Sequence, residues 1–172
     1  MFWLLTSIQL CGPLAVVADV KLGGCWSGDA IAGYLASSRI PLRLAVFDGA
    51  GSPWVMSLWF LYDEGSLWCA TNSGAKVLRY LADDTRCGFE VAGEQPPYRG
   101  VRGKGHADII PERGGDILLR LLDRYGISRN SRLGRELLAR IGIEVAIRIT
   151  PSRITSWDFS TRMVDAQLSV ES

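Results

Sequence analysis

Between residues 40 and 71 the sequence runs through three strand-like segments, and the turns between them are too short for anything but hairpins. Residues 40–48 place Leu42, Leu44 and Val46 on one face at a period of two, as a strand does. Gly49-Ala50-Gly51-Ser52 turns the chain, and residues 53–62 form a long apolar run containing Trp54, Trp59 and Phe60. Asp63-Glu64-Gly65-Ser66 is a second turn, with Gly65 available for a positive φ. Residues 67–71 complete the third segment. Strands in such short succession pair antiparallel, as a meander.

Upstream, residues 29–38 hold Ile31, Tyr34 and Leu35 at helical spacing, with Ser27 placed to cap the helix. Downstream, residues 76–82 read as a short helix with Val77, Leu78 and Leu81 as its apolar stripe. Residues 86–92 read as a fourth strand and residues 98–110 as a fifth, bent or bulged at Gly100, Gly103 and Gly105. Two amphipathic helices follow, at 116–125 (Ile117, Leu118, Leu121, Leu122) and 132–141 (Leu133, Leu137, Leu138, Ile141). Residues 143–150 alternate as a sixth strand, and residues 154–158 are a candidate extension of the sheet. The expected class is α+β: an antiparallel six-stranded β-barrel with short flanking helices. Closure removes the exposed edges that strands of this length would otherwise present.

At 172 residues, 48% hydrophobic and 22% charged, the chain has the size and balance of one globular domain. Its net charge of +1 creates no global field toward nucleic acid or an anionic membrane, so any anion site must be made locally by converging Lys and Arg. Cys11, Cys25, Cys69 and Cys87 form no CxxC pair, and a single His accompanies them, which argues against a structural zinc site. Cys69 and Cys87 lie in apolar strand-like runs and read as buried free thiols, so the expected compartment is reducing and cytoplasmic. Residues 1–24 read as an apolar appendage to a domain at 25–172. Residues 2–18 are broken by Gly12 and Pro13 and are shorter than the roughly 20 residues a spanning helix needs. A secretory signal and a start codon upstream of the true domain are the alternative readings of this segment.

Three segments carry chemistry. In the first, a strand ends in Thr71, passes through Asn72-Ser73-Gly74-Ala75 and enters a helix headed by Lys76. Free amides at that helix start, a hydroxyl and an ammonium form a phosphate cradle. Arg79 adds a second cation one turn on. A helix capped by Asn72 or Ser73, with Lys76 solvated, is the plainer alternative. In the second segment, Trp54, Trp59 and Phe60 could wall a planar ring, although a core strand has the same look. Ser57 stands out there as a lone hydroxyl in need of a partner. The third segment sets Arg99, Arg102 and Lys104 among glycines. Nucleic-acid binding is one reading of it, weakened by the near-neutral total charge, and a solvated strand face is the other. His106, the only His, reads as structural, and no catalytic residue can be assigned.

The order of these pieces resembles the pyridoxamine-phosphate-oxidase-like, FMN-binding split-barrel family. The resemblance rests on residues 42–48, the turn Gly49-Ala50-Gly51-Ser52-Pro53, then Ser57-Leu58-Trp59-Phe60, Gly65, Thr71 and Gly74-Ala75-Lys76. It continues through Gly105-His106-Ala107, Arg124-Tyr125 and the closing Pro151-Ser152-Arg153-Ile154-Thr155-Ser156-Trp157-Asp158. About two-thirds of the chain is covered. The family's Ser-Arg-Lys before the helix is Gly74-Ala75-Lys76 here, and the C-terminal Arg-Leu-His-x-Arg of true pyridoxamine-phosphate oxidases is absent. The Trp-Phe variety of the second strand looks closer to the branch that uses a deazaflavin.

The resemblance implies a split-barrel homodimer with a flavin-type cofactor at the subunit interface, either FMN or the deazaflavin coenzyme F(420). By position, Met56, Ser57, Leu58 and Trp59 would edge the ring, and Thr71, Ala75, Lys76 and Arg79 would hold the phosphate end. It further implies an oxidoreductase acting on a small molecule by hydride transfer, and the near-neutral charge leads us to expect no nucleic-acid or membrane partner. A non-catalytic flavin-binding or storage protein is the alternative.

Overall fold

The computed structural model describes residues 19–164. Its first strand, β1 (Lys21–Gly23), lies within the segment expected to be an appendage, yet it joins the sheet by pairing in parallel with residues 153–155. The apolar run at 2–18, with Cys11 inside it, lies outside the described residues. Helix α1 (Gly28–Ser37) follows. The Ser27 hydroxyl accepts from the Ala30 amide at 3.2 Å, the cap the sequence places there.

Strands β2 (Leu42–Phe47) and β3 (Pro53–Leu58) pair antiparallel along their whole length. The aromatic run then breaks: Trp59 and Phe60 leave the ladder before β4 (Leu61–Asp63) begins. A residue far along the chain causes the break. The Phe60 amide donates to the Tyr125 hydroxyl at 3.2 Å, and Trp59 stacks on the Tyr125 ring at 4.9 Å and 16°. Strand β4 turns into β5 (Ser66–Asn72) through Glu64 at φ 47° and Gly65 at φ 75°. Two successive positive φ values give the tight hairpin turn whose twist matches the strands.

Helix α2 (Lys76–Asp83) and strands β6 (Arg86–Ala92) and β7 (Arg99–Ile110) follow, then helices α3 (Gly114–Arg124) and α4 (Arg132–Leu138). Helix α4 is shorter than the pattern at 132–141 suggests. Leu133 is 42% exposed and only Gly134 of this helix is buried, so the expected leucine stripe does not face the core. The two C-terminal strand segments merge into one strand, β8 (Glu144–Asp158). Among the described residues the sheet has eight strands rather than the expected six, because β1 is added and the run at 53–62 divides in two.

The strand order is β3-β2-β6-β7-β8-β5-β4, with β1 on β8. The two ends of that order, β3 and β4, are joined in sequence by Trp59 and Phe60 alone. The sheet must therefore curl until its edges approach, which makes an open barrel. Leu42, Leu44, Phe89, Val101 and Ile147 fill the interior, together with Ile31 and Leu35 of α1 and Val77 and Leu81 of α2. A second cluster packs Ile117 and Leu121 of α3 against Leu61 and Ala146. Helix α3 thus covers part of the outside of the barrel. Arg124, near its end, donates to the carbonyls of Leu35, Ala36 and Ser38 at the C-terminus of α1 and lies 5.2 Å over the Phe60 ring. Among the described residues, no helix is long and apolar enough to cross a membrane.

Candidate functional site

The barrel is not sealed along its length. Among the described residues, β3 pairs with β2 on one side and with no strand on the other. β4 pairs with β5 only as far as Trp68, so residues 69–72 of β5 have β8 on one side and an open edge on the other. Two open strand edges therefore flank one gap, each with backbone groups able to bond a polar ring edge. A cavity of about 330 Å³ opens there. It is lined by Ser57, Leu58 and Trp59 from the β3 side and by Ala70, Thr71 and Asn72 from β5.

Four of the eight residues assigned to the site from sequence thus line a single cavity: Ser57, Leu58, Trp59 and Thr71. The other four do not. Met56 packs half-buried against the core, on the opposite face of β3 from Ser57. Ala75 is the N-cap of α2 and also leans on the core. Lys76 heads α2 exposed, with its Nζ 5.6 Å from the Trp54 ring. Arg79 is exposed one turn later.

Ser57 is itself exposed, so its hydroxyl needs no protein partner. The apolar look of the strand does not report burial here. β3 lies at the sheet edge, where Trp54 is 42% and Val55 63% exposed. Of the aromatic residues offered as ring walls, Trp59 lines the cavity. Phe60 is fully buried under Arg124, and Trp54 stands with Lys76 and Tyr80 at the start of β3.

The loop from β5 to α2 is held without any side-chain cap on the helix. The Asn72 side chain accepts from the Gly74 amide at 2.9 Å, and the Asn72 carbonyl accepts from the Ala75 amide at 2.9 Å. Neither Asn72 nor Ser73 caps α2, contrary to the plainer sequence reading, because the helix starts later, with Ala75 as its N-cap. The Leu78 amide donates to the Ala75 carbonyl at 3.1 Å, and the Lys76 and Val77 amides of α2 stand without a side-chain cap at the end of the strand that carries Thr71.

Sequence reasoning missed the opposite wall. Leu118, Leu121 and Leu137 of α3 and α4, with Arg140 and Glu144, complete the cavity. The leucines carry only the signal of an amphipathic core stripe. Glu144 has a readable trace, a carboxylate opening an apolar alternating strand. Its side chain is 8% exposed, and burial holds its carboxyl above the ordinary range against a smaller opposing pull from Arg140. Neither buried thiol lines the cavity, and burial raises both, Cys87 to about 12 and Cys69 further. Among the described residues, no cluster of His, Cys, Asp and Glu could hold a metal ion.

No family model and no curated protein matches the sequence. Solved structures do resemble the fold. A conserved hypothetical protein of Mycobacterium tuberculosis is 26% identical with a TM-score of 0.66, over 83% of this chain and 89% of that one. An F(420) reductase is 24% identical with a TM-score of 0.59, over 70% of this chain and 92% of that one. A FAD-binding protein of Mesorhizobium loti is 19% identical with a TM-score of 0.55, over 76% of this chain and 93% of that one.

Proposed function

We propose that the gap between β3 and β5 binds a flavin-type cofactor, FMN or a deazaflavin of the F(420) type, and that the protein is an oxidoreductase acting on a small molecule. The observation that carries this reading is the convergence of Ser57, Leu58 and Trp59 with Thr71 on one cavity between two open strand edges. The likeness to an F(420) reductase and a FAD-binding protein supports it. The residues fit the group. A planar ring with polar edges suits a slot with unpaired backbone on both sides and Trp59 as one wall. A phosphate suits the uncapped start of α2 with Lys76 beside it.

Magnitudes decide what Lys76 would do when a phosphate arrives. Its stacking on exposed Trp54 contributes about 0.5–1 kcal/mol. A charge-assisted contact to phosphate contributes about 1.5–3 kcal/mol. The ammonium would therefore leave the ring for the phosphate, and Arg79 would add a weaker, more distant charge. The bound cofactor would supply the hydride chemistry. The chain's part is to clamp the ring between Ser57–Trp59 and Thr71, and to exclude water with the leucines of α3 and α4. The exposed apolar residues of β3 suit a second copy of the chain, which would complete the site as a homodimer.

A storage protein would hold the same cofactor without turning it over. Mixing the loaded protein with a nicotinamide or reduced deazaflavin donor separates the two. Rapid bleaching of the cofactor absorbance is expected of the enzyme. A loaded protein inert to both donors would leave only the binding function.

A further inference from the structure

A larger depression than the one just described lies on the outside of the barrel, on the part that α3 leaves uncovered. It has a volume of about 510 Å³. Strand register explains its character. Residues directly opposite one another across a ladder project to the same face. One rung runs Val55, Ala45, Gly88, Lys104, Arg153 and Lys21 across six strands. The next rung on that face places Arg43, Glu90, Arg102 and Thr155 beside them. The floor is made of small residues, Ala45 and Gly88, and the walls of cations.

Four of the lining residues, Arg43, Arg102, Lys104 and Arg153, are cationic, against one carboxylate, Glu90. Arg43 is already engaged, with Glu94 at 2.8 Å and Glu90 at 3.6 Å. Arg102 lies 5.4 Å over the Trp157 ring. Lys104 and Arg153 form no ion pair among the described residues, although they face each other directly across β7 and β8, with Lys21 next in the rung. Like charges opposite one another in a sheet are destabilising. In a chain of net charge +1, this concentration is a local feature and not a by-product of composition.

We propose that this trough is a binding site for a small oligoanion, a molecule carrying two or more phosphate or carboxylate groups. The sheet sets its cations on a grid about 5 Å across the strands and about 7 Å along them. Spread over two rungs, Lys104, Arg153 and Arg102 are met best by a chain of two or three anionic groups. The size is that of a small-molecule site. A duplex nucleic acid would need a longer basic stripe than a bounded trough provides. The trough and the gap share no lining residue, and Val55, which a second copy would cover, stands at the β3 end of the rung, three strands from Lys104.

The experiment is calorimetric titration of the full chain, without cofactor, using tripolyphosphate, citrate and orthophosphate at low salt. Tripolyphosphate should bind at least about tenfold more tightly than orthophosphate, with citrate reporting whether carboxylates suffice. Removing both facing cations, as K104A with R153A, should weaken tripolyphosphate about tenfold per cation. Both side chains are exposed, so the double variant should fold. Its ligand-free melting temperature should rise, because the repulsion is gone. Its affinity for FMN or the deazaflavin should be unchanged, and the same loss of tripolyphosphate should appear in the Lys76→Ala background, where the cradle at the start of α2 no longer competes. Equal, weak binding of all three anions would overturn the proposal. So would K104A with R153A binding tripolyphosphate, in the Lys76→Ala background, as tightly as Lys76→Ala alone.

Discussion

Single residues of the gap separate stability from binding. Ser57 is exposed on an edge strand, so Ser57→Ala should leave the cofactor-free melting temperature within error. If its hydroxyl bonds the ring, the same change should weaken cofactor binding about three- to tenfold. A fall in melting temperature with unchanged affinity would assign Ser57 to packing. Glu144 behaves oppositely. Its carboxyl is raised above the ordinary value of 4.5 chiefly by burial. The protonated form is the one the fold favours, so its contribution is full below the ordinary value and is lost as pH rises through the raised one. Glu144→Gln fixes a neutral side chain. The variant should be the more stable at neutral pH, and its advantage should shrink as pH falls toward the ordinary carboxylate range. Urea midpoints at several pH values will show this, and an advantage that grew on acidification would contradict the burial argument. Local pattern marks Ser57 as odd and leaves Glu144 nearly silent, because nothing in a strand's own sequence says that two distant helices will cover its first residue.

At the scale of elements, period and turn chemistry carry much of the fold. The strand at 86–92, the Ser27 cap and the positive φ at Gly65 all follow from residues within a few positions of one another. The break of the aromatic run does not, because the group that captures the Phe60 amide lies 65 residues away. The parallel pairing of β1 is set in the same manner, by distant backbone. Gly114 is a further case: a Cβ there would come within 1.9 Å of the Glu144 carbonyl oxygen, so α3 can start against β8 only without a side chain. Arg124 joins α3 to α1 through three carbonyls that the C-terminus of a helix would otherwise leave without donors. Arg124→Met keeps most of the packing and removes the bonds. It should cost about 2 kcal/mol, less than three full charged bonds, since the change also removes the buried Arg124 Nε that has no partner. Chemical denaturation measures it, and a change below about 0.5 kcal/mol would show that the helices are held by their apolar contacts alone.

For the molecule as a whole, the barrel's opening and its exposed edge strand belong together. The apolar residues of β3 that the chain does not cover, Val55 at 63% exposure above all, are the natural place for a second copy. Light scattering at micromolar concentration should give the dimer mass, and Val55→Asp should lower it to that of a monomer. A monomeric wild type would require each gap to hold its ligand unaided. The central claim is that the gap between β3 and β5 is a cofactor site with its phosphate end at Lys76. Titration of cofactor-free protein with FMN and with the deazaflavin, followed by fluorescence for wild type and Lys76→Ala, tests it most directly. Saturable binding of at least one of the two is expected, weakened about ten- to hundredfold by Lys76→Ala and less by Arg79→Ala. The loss should narrow at high salt, where the charge is screened. Failure of both cofactors to bind at concentrations up to about 1 mM, or binding indifferent to Lys76 at low salt, would contradict the account.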